Sequence, residues 1–131
     1  MRFALVFLIG LAVGALGMSQ IGKVLAARDA YPRGVMAVMQ QHYGALRRAL
    51  DQNQCVAANN SANLLWMTRM SEQIEPALNP GNVDPRFHAY ARKLDARLAA
   101  ARALNPASCP ALRVAARQIG ARCAACHAVY R

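Results

Sequence analysis

The chain has 131 residues, which gives room for one domain with one core and none for a second. Sixteen Lys and Arg against six Asp and Glu give a formal net charge of +10, and hydrophobic residues make up 56% of the chain. The basic residues are scattered and no recognition motif accompanies them, so nucleic acid is not an expected partner; such a charge favours acidic partners or anionic membrane faces, or forms a solvated surface.

Part of the apolar excess lies at the front, where Arg2 precedes an unbroken apolar run from Phe3 to Met18. That run is longer than the roughly 7–15 apolar residues of a minimal signal peptide and shorter than the roughly 20 that span a bilayer. Residues 1–26 are therefore expected to be a signal peptide or an N-terminal membrane anchor, with an A-x-A-like cleavage site at Val24-Leu25-Ala26. Either fate exports residues 27–131.

The rest of the chain divides into four segments with apolar residues at helical steps of three and four. The first runs from about Ala30 to Asp51, with Met36, Met39, Tyr43, Leu46 and Leu50 as its stripe and Pro32 in its first turn. The second runs from about Val56 to Glu75, with Asn63, Met67, Met70 and Ile74 on one face, Leu64, Leu65 and Trp66 widening it, and Pro76 ending it. Turn formers fill Asn79 to Pro85, and Asp84-Pro85 reads as the cap and first residue of the third helix. That helix continues to about Leu104 with Phe87, Tyr90, Ala91, Leu94, Leu98 and Ala101 facing inward. The fourth opens at Ser108 and carries Leu112, Ala115, Ala116, Ile119, Cys123, Cys126, His127 and Tyr130 on a single face. Four helices of similar length on short connections predict an all-α fold, an antiparallel up-down-up-down four-helix bundle over residues 27–131.

Cys123-Ala124-Ala125-Cys126-His127 is the C-x-x-C-H pattern of covalent haem attachment. On a helix, residues three apart face the same way, so two thiols can form thioethers with the two vinyl groups on one porphyrin edge. The next residue turns by about 100°, which brings an imidazole under the iron. A thioredoxin-type pair would need a preceding strand, and none is predicted. A zinc site would have to enlist Cys55 and Cys109, which the predicted bundle puts at the far end of the fourth helix. A disulfide between Cys123 and Cys126 suits helical i,i+3 geometry poorly.

The run Cys123-Ala124-Ala125-Cys126-His127-Ala128-Val129-Tyr130-Arg131 resembles the C-terminal signature of the cytochrome c′ family, the class II cytochromes c. The segment Tyr31 to Met39, followed by His42-Tyr43-Gly44, resembles that family's first helix. The resemblance implies a four-helix bundle with one covalent haem c per chain, Cys123 and Cys126 as attachment residues and His127 as axial iron ligand. It assigns Met36 to the position facing the iron, with Met39 one turn on as the fallback. A Met ligand there implies a low-spin carrier of electrons, since a thioether raises the reduction potential. An unligated iron behind Met36 implies a five-coordinate protein that binds nitric oxide or carbon monoxide. The competing reading of Met36 is a core residue on a Met-rich stripe. Arg131 and Tyr130 match a basic and an aromatic residue near the family's haem. Arg33 stands one position later than the family's first-helix Arg, with Pro32 in the usual place, and the connection between the second and third helices is shorter than the family norm. Family members are often dimers through their first two helices.

Cys55 and Cys109 belong to neither half of the motif. Export makes a disulfide between them the natural expectation, and in an up-down-up-down bundle their two connections lie at the same end. His42 and His88 read as ordinary surface or core histidines, and Trp66 and Tyr90 as core or subunit-contact residues. The expectation is a monohaem cytochrome that carries electrons in the periplasm and transforms no substrate, with redox proteins, acidic ones among them, as partners. A haem-free interaction or metal-binding bundle is the contrasting reading.

Overall fold

The computed structural model describes the backbone from Arg2 to Tyr130, the side chains from Ala30 to Tyr130, and a minority of the side chains before Ala30. These described residues form five helices and no strand: α1 (Arg2–Asp51), α2 (Ala57–Ser71), α3 (Ile74–Leu78), α4 (Pro85–Arg102) and α5 (Cys109–His127). They divide into two compact units, residues 1–33 and residues 34–131.

The first unit is helical from Arg2 and exposes Val6, Phe7, Leu11, Val13 and Met18. Among the described residues no helix is long and apolar enough to cross a membrane. The expected cleavage site, Val24-Leu25-Ala26, has its side chains outside the described residues. The first helix was expected to begin near Ala30, with Pro32 in its first turn; instead α1 is continuous and Pro32 lies inside it. Ser19, Gly22 and Asp29 are isolated from one another and form no turn cluster, and a proline within a helix removes one rung of the ladder without compelling the chain to stop.

In the second unit, residues from every helix converge on one core: Leu46 and Leu50 of α1, Met67 of α2, Ile74 of α3, Leu98 of α4, and Leu112 and Ile119 of α5 are all buried. The predicted stripes of α4 and α5 face this core, with Phe87, Ala91, Leu94, Leu98 and Ala101 buried on one and Leu112, Ala115, Ala116 and Ile119 on the other. Leu65 and Trp66 do not widen the inner face of α2 as expected. Both are exposed, because the buried set Asn60, Leu64, Met67 and Ser71 already follows a narrow i, i+4, i+7, i+11 line.

The second predicted helix is two helices. Pro76 has no N–H to offer the carbonyl of Glu72, and its ring would strike that carbonyl in a continuing helix. The chain therefore leaves α2 at Ser71 and restarts as the short α3, within which Pro76 lies. Asn79 is buried at the exit from α3. Its amide donates to the Asp84 carbonyl at 3.1 Å and its side-chain oxygen accepts from the Asp84 N–H at 3.1 Å, so the turn through Gly81 and Asn82 is closed on itself. Asp84 then caps α4 as expected, its carboxylate accepting from the N–H groups of Arg86 (2.8 Å) and Phe87 (3.3 Å), with Pro85 as first helical residue.

Long-range bonds set the helices against one another. The Tyr43 hydroxyl donates to the Ala116 carbonyl at 3.1 Å, and Arg113 donates to the Leu50 carbonyl at 2.6 Å, tying α1 to α5. The wholly buried Asn60 of α2 donates to the Pro106 carbonyl at 2.8 Å, in the connection from α4 to α5. Cys55 and Cys109 form the expected disulfide, with their Cα atoms 5.5 Å apart.

Candidate functional site

Cys123, Cys126 and His127 occupy the last turns of α5, on the continuation of the face that buries Leu112, Ala115, Ala116 and Ile119. The apolar stripe does not close over them. Cys123 and Cys126 are half-buried free thiols, and His127 is exposed. All three line a cavity of about 230 Å³, shared with Met36, Met39, Gln40 and Tyr43 of α1, Ile74 of α3, Tyr90, Ala91 and Leu94 of α4, and Arg122 of α5. Burial pushes both thiols above their usual range, and for Cys123 the neighbouring Cys126 adds to the effect. Each is therefore a neutral thiol near pH 7 rather than a thiolate.

Residues far apart in sequence meet here. Met36 is half-buried and Met39 buried, and both sulfur-bearing side chains line the cavity that holds the C-x-x-C-H residues. Of the other residues expected near such a pocket, Arg33 is exposed and does not line it, and Arg131 lies outside the described residues. Tyr130 stands behind the cavity instead of in its wall. Its ring packs edge-on against Phe87 and Tyr90, with centroids at 5.1 and 6.0 Å, and its hydroxyl donates to the Asp84 carboxylate at 2.6 Å. This clamp joins the chain just past His127 to the start of α4.

Sequence reading missed three members of the site. Asp84 was legible as a cap, but nothing in its local pattern announces the Tyr130 hydroxyl. Bonding to Tyr130 is the largest cause holding its carboxyl below the usual carboxylate range, and the same bond is the largest cause raising the Tyr130 phenol. Arg122, beside Cys123, has a buried Nε with no hydrogen-bond partner among the described residues. Gly120 lies one turn before Cys123, and a methyl group there would collide with the Tyr43 hydroxyl. Burial is also the main cause raising the Tyr43 phenol, offset in part by Arg47.

A second cavity, about 590 Å³, lies between α1 and α5 and shares Tyr43 and Cys123 with the first. Its lining differs in kind: Arg47 and Asp51 of α1 and Arg113 and Arg117 of α5 accompany Leu50, Ala116 and Gly120.

His42 and His88 have the ordinary roles expected of them. His42 stacks on Trp66 with centroids 5.7 Å apart and shares a 2.9 Å hydrogen bond with Asn63, while His88 meets Glu75 at 2.7 Å. Among the described residues no group of three or more His, Cys, Asp or Glu is arranged to hold a metal ion. No family model, curated protein or solved structure matches the chain.

The residues present fit a covalently attached haem by their chemistry. A porphyrin supplies its own four equatorial ligands, so the chain needs only two thiols for attachment and one or two axial donors. Neutral thiols at Cys123 and Cys126, the imidazole of His127 and the thioether of Met36 in one apolar cavity are such a set. About 230 Å³ is below the roughly 300–1,000 Å³ of pockets that enclose larger ligands.

Proposed function

We propose that the chain is an exported monohaem cytochrome that transfers electrons, with its haem bound through thioethers to Cys123 and Cys126. When bound, the group supplies a one-electron couple, ferrous to ferric iron, and no substrate is transformed. The observation that carries the reading is the convergence of Met36 with Cys123, Cys126 and His127 on one apolar cavity, across about ninety residues of sequence. Cys123 and Cys126 would hold the group covalently, the imidazole of His127 would bind its iron, and Met36 would offer a thioether that favours the reduced state. Met39, Ile74, Ala91 and Leu94 exclude water from the ring and lower the local dielectric. The unpartnered Nε of Arg122 is a donor available to an anionic substituent of that ring.

The arrangement of helices that would present this site is an antiparallel up-down-up-down bundle of α1, α2, α4 and α5. Two contacts support it: Tyr43 with Ala116 and Leu50 with Arg113 run in opposite directions along α1 and α5, and the disulfide joins the first connection to the start of α5. That disulfide also supports export to the periplasm, because such bonds persist in oxidising compartments. The test is expression in cells able to attach haem, followed by a pyridine haemochrome assay on denatured protein. One covalent haem per chain is expected, lost when both Cys123 and Cys126 are replaced by alanine; a colourless product from the unaltered chain would overturn the proposal.

A further inference from the structure

The second cavity shares Tyr43 and Cys123 with the first, but four charged side chains line it where the first is mostly apolar. Arg113 and Arg117 are one turn apart on α5, and Arg47 faces them from α1. Asp51 is the only carboxylate in this lining. Arg47 and Arg117 are exposed and make no hydrogen bond or ion pair with a described residue, even though Asp51 lines the same groove. Arg113 commits one donor to the Leu50 carbonyl, which fixes its position and leaves the rest of its fork free. Tyr43, Ala116 and Gly120 line the groove beneath them. Tyr43 is bonded to Ala116, and Gly120 is where α5 lets that ring in.

We infer that this arginine-lined groove between α1 and α5 is the docking surface for an acidic face of a redox partner protein. The inference rests on the haem reading above, because Cys123 belongs to both cavities. A partner seated in the groove meets the edge at which the haem is attached. Guanidinium forks bind carboxylates in bidentate fashion, and three of them against one Asp give an excess of positive charge where the partner must come closest. The chain's net charge of +10 draws an acidic partner from a distance, and the groove orients it.

The probe is poly-L-glutamate, titrated into the purified chain and followed by amide chemical shifts at low ionic strength. Shifts are expected to concentrate at residues 47, 113, 117 and 120, and the double variant R47E/R117E is expected to bind about tenfold more weakly in a salt-dependent way. R102E and R69E together change the net charge equally on α4 and α2 and are expected to stay within about twofold of the unaltered chain. Far-UV circular dichroism of each variant verifies the fold. In haem-loaded protein, saturating polyglutamate is expected to slow oxidation by hexacyanoferrate(III), in which one electron leaves ferrous iron and hexacyanoferrate(II) forms. Shifts spread evenly over the surface, equal losses in both double variants, or inorganic phosphate saturating the same amides as tightly as the polymer would each overturn the docking proposal. A chain without haem would sink the cytochrome reading instead, and the titration tells the two failures apart.

Discussion

Replacing Met36 by leucine keeps nearly the same volume in the cavity wall and removes one sulfur, at a stability cost of under about 1.5 kcal/mol. With Met36 on the iron, M36L is expected to lose the weak long-wavelength band of ferric iron bound by methionine, and its ferrous form to take up carbon monoxide faster. M39L leaves both unchanged. Loss of the band in M39L instead would move the ligand by one turn, and rapid carbon monoxide uptake by the unaltered protein would favour the gas-binding function. Gly120 is a second residue with a defined consequence. A methyl there must displace Tyr43 and break its bond to Ala116, so G120A is expected to cost about 1–3 kcal/mol in urea denaturation. The residues that chemistry names were legible, because Cys123, Cys126 and His127 carry their spacing within five positions. Tyr43 with Gly120, and Tyr130 with Asp84, depend on how two helices are set side by side, which no local pattern records.

Among the elements, α4 and α5 followed the expected boundaries because strong punctuation surrounds them, Asp84-Pro85 at one start and Ser108 at the other. The break between α2 and α3 was misjudged by a few residues because a proline acts on the carbonyl four positions before it. The start of α1 was misjudged because Pro32 interrupts the hydrogen-bond ladder without supplying a reason to turn. The cap at α4 doubles as the anchor of the segment after His127, and its pH dependence has two sides. Asp84 has a folded pKa below its unfolded value of about 4, so its contribution is present above that pH and is lost as acid protonates it. Tyr130 has a folded pKa above its unfolded value of about 10, so its contribution is present below that pH and is lost as alkali removes the proton. Y130F is therefore expected to lower the Tm near neutrality and to flatten both limbs of a Tm-against-pH curve, and D84N to do the same while keeping the cap, because an Asn oxygen on the cap puts its NH2 where the carboxylate accepts from Tyr130.

For the whole second unit, stability has two large sources that can be separated. Leu46 is almost wholly buried, and L46A is expected to cost about 2–5 kcal/mol through lost burial and the cavity left behind. Removing the disulfide with C55S/C109S is expected to cost about 2–4 kcal/mol, since it closes a separation of 54 residues in the unfolded chain. The two losses are expected to add, because Leu46 is no part of the covalent loop; a marked excess in the triple variant would mean that the disulfide also orders the core around Leu46. All-helical architecture was readable from composition and period.

The four cysteines of this chain must reach two different ends, and α5 sorts them. Cys109 and Cys123 begin and nearly end the same helix, whose rise of about 1.5 Å per residue puts them about 21 Å apart. Disulfide partners need Cα atoms within roughly 7 Å. Once α5 has formed, then, neither Cys123 nor Cys126 can reach Cys109, and Cys55 is the partner left to it. The helix serves here as a ruler that rules out both crosswise pairs containing Cys109, while the choice made by Cys55 falls to the tertiary contact between its connection and the start of α5.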